Sequence, residues 1–226
     1  ARAIAPSSAS LCWAMGYSDG NLMPFSELKS MVKRIQAVNT LPLTVDLEGG
    51  YSDDPKMVAN QVVQLIDLGV VGINIEDGQG DVDLLVEKIA AIRTQLNGRP
   101  LFINARTDVY LQQWVAENER QAASLERAKK YMAAGADGLF IPGLRSLNEI
   151  KSIAAEVTVP LNVMVDQWPI DVKAWSAVGV ARISTGPAPF LSCYEQLKYW
   201  CFSAEGCHDN NNHLQYPDVN QLFTAD

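Results

Sequence analysis

The sequence predicts an α/β protein built from repeated βαβ units, and three observations lead to this fold class. Strand-like and helix-like segments alternate at intervals of roughly 20 to 30 residues. The strand-like segments are apolar and β-branched, as in parallel strands that are covered on both faces. Glycines also follow predicted helices and precede predicted strands, where a left-handed residue ends a helix at little cost. These glycines are Gly69, Gly98, Gly135 and Gly179.

The strand count decides between a closed barrel and an open sheet. The predicted strands are centred near Ile4, Leu43, Ile73, Phe102, Leu139, Leu161 and Ile183. A closed (β/α)8 barrel of the TIM type contains eight parallel strands. Because the first strand-like run opens the chain with no helix before it, we expect a (β/α)8 barrel whose first βα unit is missing from this chain. An open sheet of seven strands is the alternative.

Predicted helices separate these strands and complete the units. They cover the region around Leu11 to Met15 and residues 25–38, 55–69, 82–96, 114–134, 147–157, 170–179 and 190–202. No linker or shift in composition divides the chain, so we expect one barrel domain over residues 1–226, with a helical tail from about residue 188. Near the end of that tail, residues 217–223 (PDVNQLF) predict a short helix that docks on a surface.

Composition and charge exclude several classes of function. Of the 226 residues, 48% are apolar and 19% are charged, which is typical of a globular protein. The formal net charge of −8 argues against binding to nucleic acid or to an anionic membrane, because both need clustered Lys and Arg. We find no apolar run of bilayer length and no signal peptide, so a cytoplasmic protein is expected. Cys12, Cys193, Cys201 and Cys207 are then expected to carry reduced thiols.

Three neighbouring strand segments end in polar residues at alternate positions. The segments are LPLTVDLEGGY, GVVGINIEDG and PLFINARTD, and their polar pairs are Asp46 with Glu48, Asn74 with Glu76, and Asn104 with Arg106. Because side chains alternate across a strand, each pair is predicted to lie on one face. The carboxyl ends of parallel strands carry the chemistry of barrels and open α/β sheets. The sequence therefore predicts a site at this edge.

Asp46, Glu48 and Glu76 form the predicted acidic cluster of that site. Carboxylates that are buried near one another repel, so they must share a proton or a cation. Mg²⁺ or Mn²⁺ fits best, because the candidate ligands are hard oxygens with no neighbouring His or Cys. A purely structural acid cluster, or a set of solvated loop acids, is the alternative.

Arg106 is predicted at the same depth on the following strand. As a structural residue it would pair with Glu76 or Asp108. As a functional residue it would offer a bidentate fork to a substrate carboxylate or phosphate. Acid, metal ion and Arg together are a pattern that stabilises an enolate or a carboxylate-bearing oxyanion.

The segment APSSAS is a second candidate anion site. It follows the first predicted strand and precedes a helix, so the N–H groups of Ser7, Ser8 and Ala9 are expected to point into the mouth of the barrel. An ordinary Ser N-cap explains the same residues equally well. Asp19, in GYSDGN, is interpreted as a turn residue.

Taken together, these segments resemble the isocitrate lyase/phosphoenolpyruvate mutase superfamily. The matching stretches are SSASLCWAMGYSDG, PLTVDLEGGYSDDP, GVVGINIEDG, FINARTD, AGADGLFIPG, PLNVM and GVARISTGP, in one collinear order up to about Pro187. The resemblance implies a (β/α)8 barrel whose last helix is exchanged between subunits of a homodimer or homotetramer. It also implies Mg²⁺, an α-oxo or enol carboxylate, and a C–C, C–P or P–O bond made or broken beside it.

The resemblance also implies roles for individual residues. Asp46 would be the direct metal ligand, and Asp19, Glu48 and Glu76 would act mostly through metal-bound water. Ser7, Ser8 and Ala9 would hold a carboxylate or oxyanion. Arg106 would bind substrate and stabilise developing charge, and Glu76 or a metal-bound water is the best candidate for the general acid.

One departure from the superfamily narrows the function. Its lyases carry a Lys-x-Cys-Gly-His motif in a loop after the GINIED strand, whereas Glu76 is followed here by DGQGDVDLLVEK. This argues against isocitrate or methylisocitrate lyase activity, and against a simple transfer of the mutase mechanism. We therefore expect a Mg²⁺-dependent lyase or decarboxylase that acts on a small α-oxo or α-hydroxy carboxylate through an enolate-like intermediate. A phosphoenolpyruvate or phosphonopyruvate mutase or hydrolase is one alternative, and a non-catalytic metabolite-binding barrel is another.

Overall fold

A computed structural model describes residues 2–78, 81–166, 169–203 and 214–223. Six strands form one parallel sheet in chain order. They are β1 (Leu43–Asp46), β2 (Val70–Glu76), β3 (Phe102–Arg106), β4 (Gly138–Ile141), β5 (Leu161–Met164) and β6 (Val180–Ser184). The α/β class and the predicted strand order are therefore confirmed.

The sheet is curled, and its two edges approach each other. At one edge, the predicted strand near Ile4 is reduced to a single parallel bridge with Leu43 on β1. Arg182 on β6 donates a hydrogen bond of 3.4 Å to Thr44 Oγ1 on β1, which brings the two ends of the sheet together. The described strands thus form part of a barrel wall. The missing first βα unit and the exchange of the last helix stay predictions.

Helices alternate with the strands, as the sequence pattern predicts. They are α1 (Ser8–Ala14), α2 (Phe25–Val38), α3 (Pro55–Asp67), α4 (Val82–Leu96), α5 (Arg120–Ala134), α6 (Leu147–Glu156), α7 (Val172–Ala177), α8 (Ala188–Ser203) and α9 (Tyr216–Asn220). The predicted continuous helix from Trp114 is wrong, because α5 begins at Arg120 after a 3-10 turn. Trp114 instead packs against the Arg127 guanidinium, 4.8 Å from the ring centroid. The predicted short terminal helix is confirmed as α9.

Local signals explain where several helices begin and end. The Asp81 carboxylate accepts hydrogen bonds from the N–H groups of Asp83 and Leu84 at 2.9 and 3.2 Å, so Asp81 caps α4. Gly135 ends α5 with φ of 111°, which any other residue would adopt only under strain. These signals fix the loop lengths and so bring each strand back into the sheet.

Two apolar clusters hold the helices against the sheet. The larger cluster joins α2, α3 and α4 to β1, β2 and β3, and the second joins α5 and α6 to β4, β5 and β6. The concave face of the sheet is instead polar. There the Asn104 amide donates to Asn74 Oδ1 at 2.8 Å and to Asn162 Oδ1 at 3.0 Å. This buried ladder fixes the register of the strands that carry the site.

Two further expectations from the sequence concern membrane-spanning segments and the state of the cysteines. In the part of the chain that the structure describes, every helix is too short or too polar to cross a bilayer. Cys12, Cys193 and Cys201 are free thiols, in agreement with the prediction. Cys207 lies outside the described residues.

Candidate active site

A cavity of about 1450 Å³ lies at the carboxyl ends of the strands. Its wall includes the acids Asp19, Asp46 and Glu76, together with Arg106. Ser7, Ser8 and Ala9 also line it, from the amino end of α1. Of the eight residues that the sequence predicts for the site, all except Glu48 therefore border one cavity.

Strand register explains why these side chains meet. Asp46 on β1 is the partner of Asn74 on β2, and Glu76, two residues further along β2, is the partner of Arg106 on β3. Residues two apart on a strand project from the same face. The site side chains therefore reach the cavity from two successive levels of the sheet. Asp46 lies at one level, and Glu76 and Arg106 lie at the next.

Arg106 is held by two carboxylates. Its Nη1 lies 2.7 Å from Glu76 Oε2, and its Nε and Nη2 donate to the two oxygens of Asp108 at 2.6 and 2.9 Å. Both ion pairs expected of a structural Arg, with Glu76 and with Asp108, are thus present. A guanidinium has five N–H donors, so this arrangement still leaves donors for a substrate anion.

Asp108 is in turn fixed by a buried network that sequence reasoning missed. Its N–H donates to Asp77 Oδ1 at 3.0 Å, and Asp77 Oδ2 accepts from Tyr131 at 2.7 Å and from Arg127 at 2.9 Å. Asp77 and Asp108 directly follow the strands that bear Glu76 and Arg106. Their place in IED and RTD was the only sequence signal, and it does not name their partners.

The cavity holds more acid than its cations neutralise. Burial raises the pKa of Glu76 to about 8, although Arg106 opposes the shift, and Asp108 adds to it. Burial also raises the pKa of Asp46, against the opposing charge of Arg106, and Asp19 raises it further. A Ser8 hydrogen bond to Asp46 supports its ionised form. Such a cluster favours a bound proton or a cation.

Glu48 departs from the predicted alternation. Strand β1 ends at Asp46, and Glu48 has φ of 50°, a left-handed conformation that turns its side chain out of the strand pattern. Its carboxylate accepts from the N–H groups of Gly20, at 2.9 Å, and of Asn21, and from the Tyr51 hydroxyl at 2.5 Å. The prediction that Asp46 and Glu48 share one strand face is therefore wrong.

Asp19 links the Glu48 environment to the cavity. Asp19 Oδ1 is buried and accepts no hydrogen bond among the described residues. Ligand atoms of Asp19, Glu48 and Cys12 all lie within 4.8 Å of one another. The expectation that no Cys neighbours the acids is therefore wrong, and burial raises the pKa of the Cys12 thiol. A thiol is a soft ligand, which Mg²⁺ and Mn²⁺ do not favour. The oxygens that remain suit a hard divalent cation.

The segment with Ser7, Ser8 and Ala9 has features of an N-cap and features of an anion site. Ser7 is the N-cap of α1, and its Oγ accepts from the Ser10 N–H at 3.5 Å. The first N–H groups of a helix have no partner within the helix, and Ser8 and Ala9 occupy these positions beside the cavity. The N-cap and an anion site are compatible here.

A buried lysine supports the acid-bearing loop from below. Lys88, on α4, is 4% exposed, and its ammonium group donates to the Gly49 carbonyl at 2.7 Å. Gly50, beside it, has φ of 96°, and a Cβ there would lie 2.9 Å from Val58. The loop after β1 is therefore fixed by packing and by a charged hydrogen bond.

The sequence also matches a known protein family. The phosphoenolpyruvate phosphomutase family profile matches residues 1–201. An uncharacterised protein of Mycobacterium tuberculosis is 34% identical over 152 residues, which are 66% of this chain and 55% of that protein. Oxaloacetate decarboxylase 1 of Pseudomonas fluorescens is 31% identical over 159 residues, 65% of this chain and 52% of that enzyme. The chain thus spans about half the length of these curated relatives.

A solved structure gives a likeness over more of the chain. It comes from Burkholderia cenocepacia J2315 and is provisionally described as a phosphonomutase. The two chains are 39% identical with a TM-score of 0.82, and the match covers 89% of this chain and 85% of the other. The curled parallel sheet is therefore the fold of this group of proteins.

Proposed function

Because this chain belongs to the phosphoenolpyruvate phosphomutase family, we propose that it is a Mg²⁺-dependent (or Mn²⁺-dependent) lyase or decarboxylase. Its substrate would be a small 2-oxo or 2-hydroxy carboxylate. The observation that carries the proposal is the convergence of Asp19, Asp46, Glu76 and Arg106 on one cavity. Oxaloacetate decarboxylase among the relatives supports the choice of a C–C bond.

The residues of the cavity fit a divalent cation. Asp46 would bind it directly, and Asp19 and Glu76 would hold its water ligands. The buried, unpartnered Oδ1 of Asp19 is one sign of a missing cation. The raised pKa values of Asp46 and Glu76 are another, because burial raises them although Arg106 lies beside both acids. When bound, the cation would polarise the carboxylate and 2-oxo oxygens of the substrate.

Arg106 and the start of α1 would orient the substrate. The N–H donors of Arg106 that do not face Glu76 or Asp108 would bind a substrate carboxylate and stabilise the charge that develops on the 2-oxo oxygen. Ser7, Ser8 and Ala9 would bind a second anionic oxygen through backbone N–H and hydroxyl groups. Because Asp108 already holds Arg106 in place, little reorganisation is needed when the substrate binds.

Glu76 is our candidate for the general acid. When the bond between C3 of a 2-oxo acid and its leaving group (CO₂ in a decarboxylation) breaks, the electron pair moves through C3 toward the 2-oxo oxygen, and C3 must then take up a proton. Glu76 borders the cavity, and in the absence of a cation burial raises its pKa to about 8, so it is placed to donate a proton there. The same carboxyl group therefore has two proposed roles, in holding water ligands of the cation and in proton transfer.

For Glu48 we propose a supporting role. Its oxygens accept three hydrogen bonds, from Gly20, Asn21 and Tyr51, so it orients the backbone that directly follows Asp19. This differs from the role that the resemblance implies, in which Glu48 acts through metal-bound water. Glu48 would still reach a water bound to the cation, because ligand atoms of Glu48 and Asp19 lie within 4.8 Å of each other.

A mutase or hydrolase acting on a phosphoenol or phosphonate substrate is the second candidate. Its specific support is the 39% identity to the Burkholderia protein provisionally described as a phosphonomutase. The same anion sites would hold a phosphonate in place of a carboxylate, because Arg forks and helix N–H groups bind both.

We also propose that the protein works as a homodimer or homotetramer. Helix α8 exposes large apolar side chains that a partner subunit would cover. They include Tyr194 (44% exposed), Leu197 (56%) and Trp200 (73%). Light scattering after size exclusion tests this proposal, and a monomeric mass at micromolar concentration would contradict it.

Turnover assays separate the candidate functions. The protein is incubated with Mg²⁺ and a panel of 2-oxo and 2-hydroxy diacids, and the release of pyruvate or CO₂ is followed. Metal-dependent release supports the lyase, and phosphate release from phosphoenolpyruvate supports the second candidate. Tight oxalate binding with no turnover of any panel member would contradict both and indicate a metabolite-binding protein.

A further inference from the structure

The last described segment of the chain packs on the anion site. This C-terminal segment, residues 214–223, comprises α9 and the 3-10 turn after it. Val219 is 6% exposed and belongs to a cluster with Ala9 and Trp13 of α1. The Tyr216 ring lies 5.4 Å from the Trp13 ring, centroid to centroid. The contact therefore joins residues some 200 positions apart in the chain.

Asn220 makes three hydrogen bonds across this contact. Its Oδ1 accepts from Trp13 Nε1 at 3.0 Å and from the Asp19 N–H at 2.7 Å. Its backbone carbonyl accepts from the Ser18 hydroxyl at 3.2 Å. One side chain thus ties the site-facing helix to the loop that carries Asp19.

Tyr216 reaches the Asp19 carboxylate itself. Its hydroxyl donates to Asp19 Oδ2 at 3.0 Å, which leaves Oδ1 buried and unpartnered among the described residues. Tyr216 also lines the cavity, together with Leu214 and Gln215. Asp19 is thus held at its backbone by Asn220 and at its carboxylate by Tyr216, with one oxygen left for a ligand.

We infer that the C-terminal segment is a positioning element of the site: Asn220 and Tyr216 hold Asp19 in the orientation in which its free oxygen faces a water ligand of the divalent cation, and the segment closes one wall of the cavity. The inference rests on the proposed function, since it concerns the cation assigned there. Docking and cation binding are then thermodynamically coupled, and each must strengthen the other by the same factor.

The first test measures Mg²⁺ affinity by calorimetry in the full chain. Asn220→Ala removes the acceptor for Trp13 and Asp19, and we expect affinity to fall about tenfold, at the lower end of the range for residues that orient a ligand. Tyr216→Phe removes only the hydroxyl and should weaken binding by a smaller factor. Leu222→Ala is the control on the same segment, because Leu222 is 72% exposed, and it should bind like the wild type. Circular dichroism establishes that each variant is folded.

The second test uses the reciprocal effect. Hydrogen exchange of residues 214–223, followed by mass spectrometry in the wild-type protein, should slow about tenfold when Mg²⁺ is added, because the two equilibria are linked. A segment that merely packs on the surface would exchange at the same rate with and without the metal.

The outcomes distinguish this inference from the proposed function. If the wild type binds Mg²⁺ and Asn220→Ala binds it equally well, with unchanged exchange of the segment, the positioning role is overturned and the metal site stands. If the wild type binds no Mg²⁺, both are overturned. Weaker binding in Asn220→Ala, normal binding in Leu222→Ala and metal-dependent protection of the segment together support the inference.

Discussion

Asp46 and Glu48 lie two residues apart and occupy opposite kinds of environment. Glu48 is 2% exposed, and backbone N–H groups and the Tyr51 hydroxyl surround its carboxylate. Asp46 faces the cavity, where burial and Asp19 raise its pKa. Burial raises the pKa of Glu48 as well, but its hydrogen bonds from Tyr51 and Asn21 oppose the shift and stabilise the loop. Asp46 accepts from Ser8 and lies near Arg106, but it also lies near Asp19, so its charge is only partly compensated until a cation binds.

The largest effect is expected for Asp46→Ala. If Asp46 is the direct ligand, its loss should weaken Mg²⁺ binding more than the roughly 10- to 100-fold that follows from changing a residue that only orients a ligand. The fold should be retained, because the side chain stabilises little else. Calorimetry with Mg²⁺ and circular dichroism measure the two properties. Unchanged Mg²⁺ affinity would remove Asp46 from the site.

Glu48→Ala should show the opposite pattern, with a large loss of stability. The N–H groups of Gly20 and Asn21 and the Tyr51 hydroxyl would lose their acceptor, at a cost of about 3 kcal/mol in the free energy of unfolding. Urea denaturation without metal measures it. Glu48→Gln keeps one acceptor oxygen and is the milder control. If Glu48→Ala is as stable as the wild type, Glu48 does not stabilise the fold, and the proposed difference from Asp46 is contradicted.

Glu76→Gln should stabilise the metal-free protein at high pH. The pKa of Glu76 is raised from its ordinary 4.5 to about 8. Below pH 4.5 both folded and unfolded chains are protonated, and between pH 4.5 and 8 only the unfolded chain ionises, so wild-type stability falls as pH rises. The variant lacks this fall and should be about 1–3 kcal/mol more stable above pH 8. Urea denaturation in EDTA across this range tests it, and parallel curves for the two proteins would count against the prediction.

Arg106→Lys should have the smallest effect. The lysine keeps the charge but loses the planar fork, so oxalate affinity should fall about tenfold, or about 1.4 kcal/mol. Competition or calorimetric titration in saturating Mg²⁺ measures it. Arg99→Lys is a suitable control, because Arg99 pairs with Asp67 far from the site-lining residues. Equal oxalate affinity in wild type and Arg106→Lys would argue that the guanidinium only holds Glu76 and Asp108.

The parts of the site that were predictable follow from strand periodicity. Asp46, Glu76 and Arg106 meet because parallel strands in register bring alternate residues to one edge, and this rule needs only local sequence. The rule failed at Glu48, where the strand had ended and a left-handed residue turned the chain. The sequence marks Gly50 as a turn but gives no sign that the non-glycine Glu48 adopts positive φ.

Other parts depend on contacts that a local pattern does not contain. Asp77 accepts directly from the Asp108 N–H, and Tyr131 and Arg127 of helix α5 hold Asp77 in place. Asn220 reaches Asp19 from about 200 residues away, although the helix that carries it was predicted from Pro217 and the apolar residues after it. The helix start at Arg120 was also missed, because the aromatic Trp114 packs in a loop where the sequence pattern continues a helix.

The affinity of the wild-type protein for oxalate, titrated by calorimetry with and without Mg²⁺, tests the central claim most directly. If the clustered acids hold a cation that in turn holds an organic anion, oxalate should bind at least about 100-fold more tightly with Mg²⁺ than in EDTA, a difference of about 2.7 kcal/mol. Equal affinity for oxalate under the two conditions would contradict the account.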